Sequence, residues 1–312
     1  MLYYYRIFGF LTASEVLLPE AEPAEETGNP DVEIRFGRLE HDITAHPKTK
    51  SPGEAWHYCF PEDGVMWFRA DDMDFQVSDG NRIMIDVSRA GERLEHLHVF
   101  VLGTAFGVIH MQRGNVPVHG AAVEGRAGAV IITGYSGSGK SAVLGSLALD
   151  GVRFLADDVS VVTTKSGHPE VLSGYPQRKI ACEDAAALGY DIEGLERINE
   201  DNRDKYVIRR AEEWRREAMP LAAIIELVPA EREDGEPVSP ELREIRGHAA
   251  LQFVMRNLYR RQFYSETGIL PEIMKKILVF TSNIRTYQLV RPREGISVRD
   301  TAEMIKAGCE EL

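Results

Sequence analysis

The segment Gly134-Tyr135-Ser136-Gly137-Ser138-Gly139-Lys140-Ser141 constrains this chain more than any other. It fits G-x-x-x-x-G-K-[ST], the phosphate-binding loop, which needs a strand before it and a helix after it. The sequence supplies both. The apolar run Ala129-Val130-Ile131-Ile132-Thr133 precedes the loop, and Ala142-Val143-Leu144 and Leu147-Ala148-Leu149 follow at helical spacing. A triphosphate is densely anionic, so its site needs many hydrogen-bond donors with no bulky side chain between them. Gly134, Gly137 and Gly139 permit the backbone conformations that gather N–H groups into one concavity. The helix N-terminus adds partial positive charge. Lys140 can reach the β- and γ-phosphates, and the Ser141 hydroxyl can ligate Mg²⁺. The expected nucleotide-binding residues are Gly134, Ser136, Gly137, Ser138, Gly139, Lys140 and Ser141, with ATP and Mg²⁺ as cofactors.

Composition narrows the setting. The chain has 312 residues, room for one large domain or two ordinary ones, and a formal charge of −13. That charge argues against nucleic acid as partner, because phosphate backbones select basic surfaces. Cys59, Cys182 and Cys309 form neither a C-x-x-C pair nor a zinc spacing, which reads as reduced thiols in a cytoplasmic protein. The apolar start is short and broken by Arg6, and no uninterrupted apolar stretch is long enough to span a membrane.

The first 92 residues read as strands and turns. Tyr3 to Phe10 is aromatic and β-branched, and Leu18 to Asp31 reads as an acidic, proline-containing loop. Val32-Glu33-Ile34-Arg35-Phe36 alternates as a half-buried strand does, and Val65–Phe68, Phe75–Val77 and Ile83–Val87 are further short strands. From Arg93 to Met111 apolar residues recur at helical spacing, which predicts a long helix ending near Gly114. After the loop helix, Val152 to Val162 reads as a strand passing through Asp157-Asp158. Leu221 to Val228 is another strand, Pro229 to Pro240 an acidic loop, Ala249 to Gln262 a helix and Thr286 to Val290 a late strand. Ser297-Val298-Arg299-Asp300 resembles a cap before a terminal helix. The expected division is a β-rich domain over 1–92 and a catalytic domain over 93–312.

Asp157 and Asp158 stand out because they follow Ser141 by one helix, one turn and one strand. That path returns two carboxylates to the side of the phosphate loop. Phosphoryl transfer needs a metal-facing oxygen and a group that accepts the proton of the attacking hydroxyl. Adjacent strand residues point to opposite sides unless the backbone turns, so each could take one task. An isolated Asp-Asp is ordinarily a solvated turn; the loop upstream is what singles this one out. His119, one strand before the loop, is the third candidate, as a core histidine or as an active-site residue.

Val118-His119-Gly120-Ala121-Ala122-Val123, the loop from Gly134 to Ser141 and Leu155-Ala156-Asp157-Asp158-Val159 come in an order and at intervals that resemble the catalytic domain of HPr kinase/phosphorylase. The β-rich start, the Gln112-Arg113-Gly114 turn and Ser173-Gly174-Tyr175-Pro176 look more like the HPr-kinase-like proteins, some of which accompany lasso peptide biosynthesis. The resemblance implies an α/β P-loop kinase core, akin to phosphoenolpyruvate carboxykinase, behind a smaller β-rich N-terminal domain. It implies that Asp157 is the base toward the acceptor hydroxyl, that Asp158 and Ser141 attend Mg²⁺, and that Lys140 and the loop amides bind the phosphates. It also makes His119 an active-site residue, puts Lys205 near the transferred phosphate, and implies a homo-oligomer. One departure weighs against HPr as acceptor. The family's Glu-Ile-Arg-Gly signature is absent after the acidic pair and occurs only far downstream, at Glu244-Ile245-Arg246-Gly247, where it reads as coincidence.

The leading expectation is an ATP- and Mg²⁺-dependent kinase acting on a hydroxyl, foremost a serine of a peptide or protein. A small-molecule hydroxyl would serve the same mechanism. The alternatives are a nucleotide-binding regulatory module without transfer activity and, less favoured, a carboxykinase-like enzyme.

Overall fold

The computed structural model describes residues 1–53, 56–91, 94, 96–200, 203–230, 238–293 and 296–312. The protein is mixed α/β, with three sheets among the described residues. It divides into two compact units: Met1–Pro117 with Arg260–Pro271, and Val118–Tyr259 with Glu272–Leu312.

The first unit is built on a nine-stranded sheet. Alternation puts Val32 and Ile34 in the core while Glu33 and Arg35 stay out of it. At the hairpin between Met73–Ser78 and Arg82–Asp86, Asp79 and Gly80 both take positive φ, the turn geometry that Asp-Gly sequences favour. The acidic stretch before Asp31 contains one short strand, Glu22–Pro23, paired with Tyr3–Ile7.

The helical segment begins at Leu97, and its expected start at Arg93 lies outside the described residues. It runs as Leu97–Phe100, one wide π turn at Val101–Ala105, and Phe106–Gln112. It belongs to the first unit, not to the catalytic domain as the 92/93 boundary had it. Its C-terminal side chains give the reason. Gln112 donates to Gly64 O and Val77 O and accepts from Gly80 N–H, while Arg113 donates to Gly80 O and Asp31 O and covers the Phe10 ring.

In the second unit an eight-stranded sheet surrounds the strand Ala129–Thr133. This strand pairs antiparallel with Val116–Glu124 on one edge and parallel with Met219–Ala230 on the other. Arg285–Pro292 extends the sheet parallel to Met219–Ala230, and Glu241–Glu244 closes that edge. The helices Lys140–Leu149 and Val298–Gly308 cover the sheet. Val143, Leu144, Leu147, Ala302 and Ile305 pack with Val130, Ile132, Ile225 and Leu289 in one core. The terminal helix is capped as its sequence suggested. Ser297 Oγ accepts from Asp300 N–H at 3.0 Å, and the Asp300 carboxylate accepts from Ser297 in return.

Other expectations need adjustment. The strand over 152–162 is two strands, Phe154–Ala156 and Val159–Thr163, broken at Asp157-Asp158 where Asp158 takes φ +69°. The expected helix over 249–262 is Gly247–Arg256, then a separate Gln262–Glu266 in the first unit. The expected acidic loop from Pro229 overlaps the last two residues of a strand that continues to Ala230, and residues 231–237 lie outside the described residues. Glu244 ends a strand and Arg246 precedes a helix, with their side chains paired at 2.7 Å. A third sheet, Arg178–Ala181, Arg203–Ile208 and Glu196–Glu200, was not foreseen. With the helix Cys182–Leu188 it encloses a small core of Ile180, Ala185, Tyr190 and Ile208.

Candidate active site

The strand Ala129–Thr133 is buried throughout, and where it ends the chain turns sharply. Gly134, Gly137 and Gly139 have φ of +145°, +82° and +95°. At Gly134 a Cβ would stand 2.6 Å from Ser138 Oγ and 2.7 Å from Leu227 O, so the loop can pass only as glycine there. Gly139 then delivers the chain into the helix Lys140–Leu149.

Lys140 is 9% exposed, and its Nζ donates to Gly134 O at 2.9 Å and Tyr135 O at 3.0 Å. Burial holds its pKa below the ordinary lysine value, opposed by Asp158 and Asp157 and assisted by Lys205. A cleft of about 160 Å³ opens beside it. Ser136, Gly137, Gly139, Lys140 and Ser141 form one wall, His119 and Asp158 a second, and Ala181, Asp184, Arg203 and Lys205 a third.

His119 is held at both its backbone groups. Its N–H donates to Asn257 O at 2.8 Å, and its C=O accepts from Thr133 Oγ1 at 2.6 Å. Its Nδ1 lies 3.3 Å from Asp158 Oδ1. Gly120 N–H donates to Asp158 O at 3.0 Å, so the strand that carries the histidine also fixes the aspartate's backbone.

The two aspartates therefore differ. Asp158 lines the cleft, with its side chain more than half exposed. Asp157 is not on the cleft wall. It is half-buried, and its carboxylate accepts from Lys179 N–H at 2.8 Å. Burial pushes its pKa up, against the hydrogen bond from Lys179. The positive φ of Asp158 is what parts them: it turns one carboxylate to the opening and leaves the other against the small sheet.

Of the remaining expected residues, Lys205 does reach the cleft. Ser138 does not. It is fully buried, its N–H donates to Tyr135 O, its C=O accepts from Arg291 Nη2, and its Oγ has no partner among the described residues. Gly134 sits below the wall as the root of the loop, accepting from Lys140.

Sequence reasoning passed over three residues. Asp184 lines the cleft, and burial, aided by Glu183, raises its pKa. Arg203 lines it too, paired with Glu183. Arg291 supports the loop from below through Ser138 O. The one signal for the first two was the crowding of charge over 183–184 and 203–205 beside short strands. Arg291 gave none. No group of three or more His, Cys, Asp or Glu side chains among the described residues is assembled to hold a metal ion. No helix among them is long and apolar enough to cross a membrane.

No family model matches this chain, and no curated protein does. Among solved structures, the HPr(Ser) kinase/phosphatase from Coxiella burnetii matches at 12% identity, over 61% of this chain and 93% of that one, with a TM-score of 0.32.

Proposed function

We propose that this protein is an ATP- and Mg²⁺-dependent kinase that transfers the γ-phosphoryl group to a hydroxyl, with a serine of a peptide or protein as acceptor. The observation behind this reading is that Lys140 and Ser141, at a helix N-terminus, share one cleft with the His119–Asp158 pair. The residues fit a phosphate. Glycines keep the loop clear where a Cβ would collide, and a buried lysine stands beside it. The cleft's size suits phosphate groups and an ion, which leaves the base and ribose outside it.

Ser141 would hold Mg²⁺, which supplies positive charge against the phosphate oxygens. An ion of this kind takes most of its ligands from phosphate and water, so the protein need supply few. Lys140 is tethered by two carbonyls of the loop and so is oriented before a ligand arrives. The Asp158 carboxylate receives the proton of the acceptor hydroxyl, and His119 Nδ1 stands beside it at 3.3 Å. We assign the base to Asp158 rather than to the expected Asp157 on the ground that Asp158 borders the cleft. Lys205 and Arg203 face the same space and would meet charge on the transferred group.

The test is incubation with γ-labelled ATP, Mg²⁺ and a panel of serine-containing peptides and small hydroxyl compounds, followed by mass spectrometry. A phosphorylated peptide is expected. Nucleotide binding with no transfer to any acceptor would replace this reading with that of a regulatory module.

A further inference from the structure

Glu226 is a charged residue that the mechanism above does not use. It lies on the strand Met219–Ala230, is 5% exposed, and its carboxylate collects donors from three residues. Arg256 approaches with Nε at 2.8 Å and with Nη2; Asn257 Nδ2 and Gln288 Nε2 each stand at 2.7 Å. A buried carboxylate so fully bonded is rigid, and it gains little net stability over an apolar replacement. What it holds is therefore informative.

Asn257 is the link. Its side chain is fixed by Glu226 Oε1 and by Phe253 O, and its main-chain carbonyl accepts the His119 N–H at 2.8 Å. On the other side, Glu226 stands opposite Thr133 in the parallel ladder, and Thr133 Oγ1 donates to His119 O. Both backbone groups of His119 are thus held by residues that Glu226 either bonds or faces. Held in this way, His119 stands with Nδ1 3.3 Å from Asp158 Oδ1.

We infer that Glu226 is a positioning residue, which acts through Asn257 to set His119 against Asp158. The inference rests on the proposed kinase reading for its kinetic consequence, and on geometry alone for its structural one.

The test uses the full chain carrying ¹³C-labelled histidine, with His119→Gln to assign the His119 signal. Glu226→Gln keeps the shape but turns a donor toward donors. The His119 ring resonance is expected to move, while those of His57 and His110 in the first unit stay. In the transfer assay kcat should fall on the order of 10- to 100-fold, as for a misplaced group, with KM for ATP changed less than about twofold. A variant that only melts earlier, with an unmoved His119 signal, overturns the inference. Should Glu226→Gln not fold, Asn257→Ser cuts the same link while keeping the carbonyl to His119. The same displacement is expected there, and its absence overturns the inference equally. If the wild type transfers phosphate to no acceptor, the kinase reading fails, and the His119 signal still decides the role of Glu226.

Discussion

Replacing the two adjacent aspartates one at a time separates chemistry from scaffolding. Asp158→Asn removes the carboxylate that borders the cleft and pairs with His119. It leaves the backbone bond from Gly120 N–H to residue 158 intact. Loss of a positioned proton acceptor costs typically 10²- to 10⁴-fold in rate, or roughly 3–5 kcal/mol of barrier. Asp157→Asn is a different change. The asparagine oxygen can still accept the Lys179 N–H, and the charge removed is one that burial already disfavours. Its effect on stability should be within about 1 kcal/mol, the net worth of one hydrogen bond, and transfer should stay within about fivefold of wild type. The assay is single-turnover transfer from γ-labelled ATP, with nucleotide affinity measured separately by calorimetry. Loss of transfer in Asp157→Asn with retention in Asp158→Asn would refute the assignment and return the base to Asp157.

Two further outcomes follow from the packing. Gly134→Ala forces a Cβ into Ser138 Oγ and Leu227 O at a φ that alanine resists; it should cost about 1–3 kcal/mol in denaturant unfolding and abolish nucleotide binding by calorimetry. Burial pushes the Cys309 thiol up to about 12, so this raised pKa adds stability that is complete below the ordinary thiol value of 9.0 and is lost as pH rises through about 12. Native alkylation at pH 8 should accordingly label Cys182, which is half-buried, and spare the buried Cys59 and Cys309, as peptide mapping will show.

How far the sequence carries depends on how local the cause is. The strand–loop–helix around Lys140 is legible because its determinants are contiguous: a buried run, glycines at fixed offsets, then helical spacing. The Ser297–Asp300 cap is legible for the same reason. Spacing alone brought Asp157 and Asp158 back beside the loop, but which of them faces it is decided by one dihedral at Asp158, and no residue type announces that. Periodicity found the helix ending at Gln112 but not the body it serves, because that is settled by bonds from Gln112 and Arg113 to residues far away in sequence. The third wall of the cleft comes from short, highly charged strands. Their apolar content is too small to show a period, and Asp184 and Arg203 were missed with them.

The walls of the cleft are rooted at unequal depth. The strand beneath the glycine-rich loop has ladder partners on both edges and lies in the main core. The wall bearing Asp184, Arg203 and Lys205 rests on a satellite core of a few side chains, tied to the loop helix by Tyr190 Oη donating to Gly145 O at 2.6 Å. Free energies of local opening follow such differences in burial. Amide protons of Ala129–Thr133 should therefore exchange only with global unfolding, and those of Arg203–Ile208 well before it. One side of the cleft can then loosen while the side bearing Lys140 stays fixed, and on the proposed kinase reading that would let an acceptor as large as a peptide enter and leave without cost to the fold.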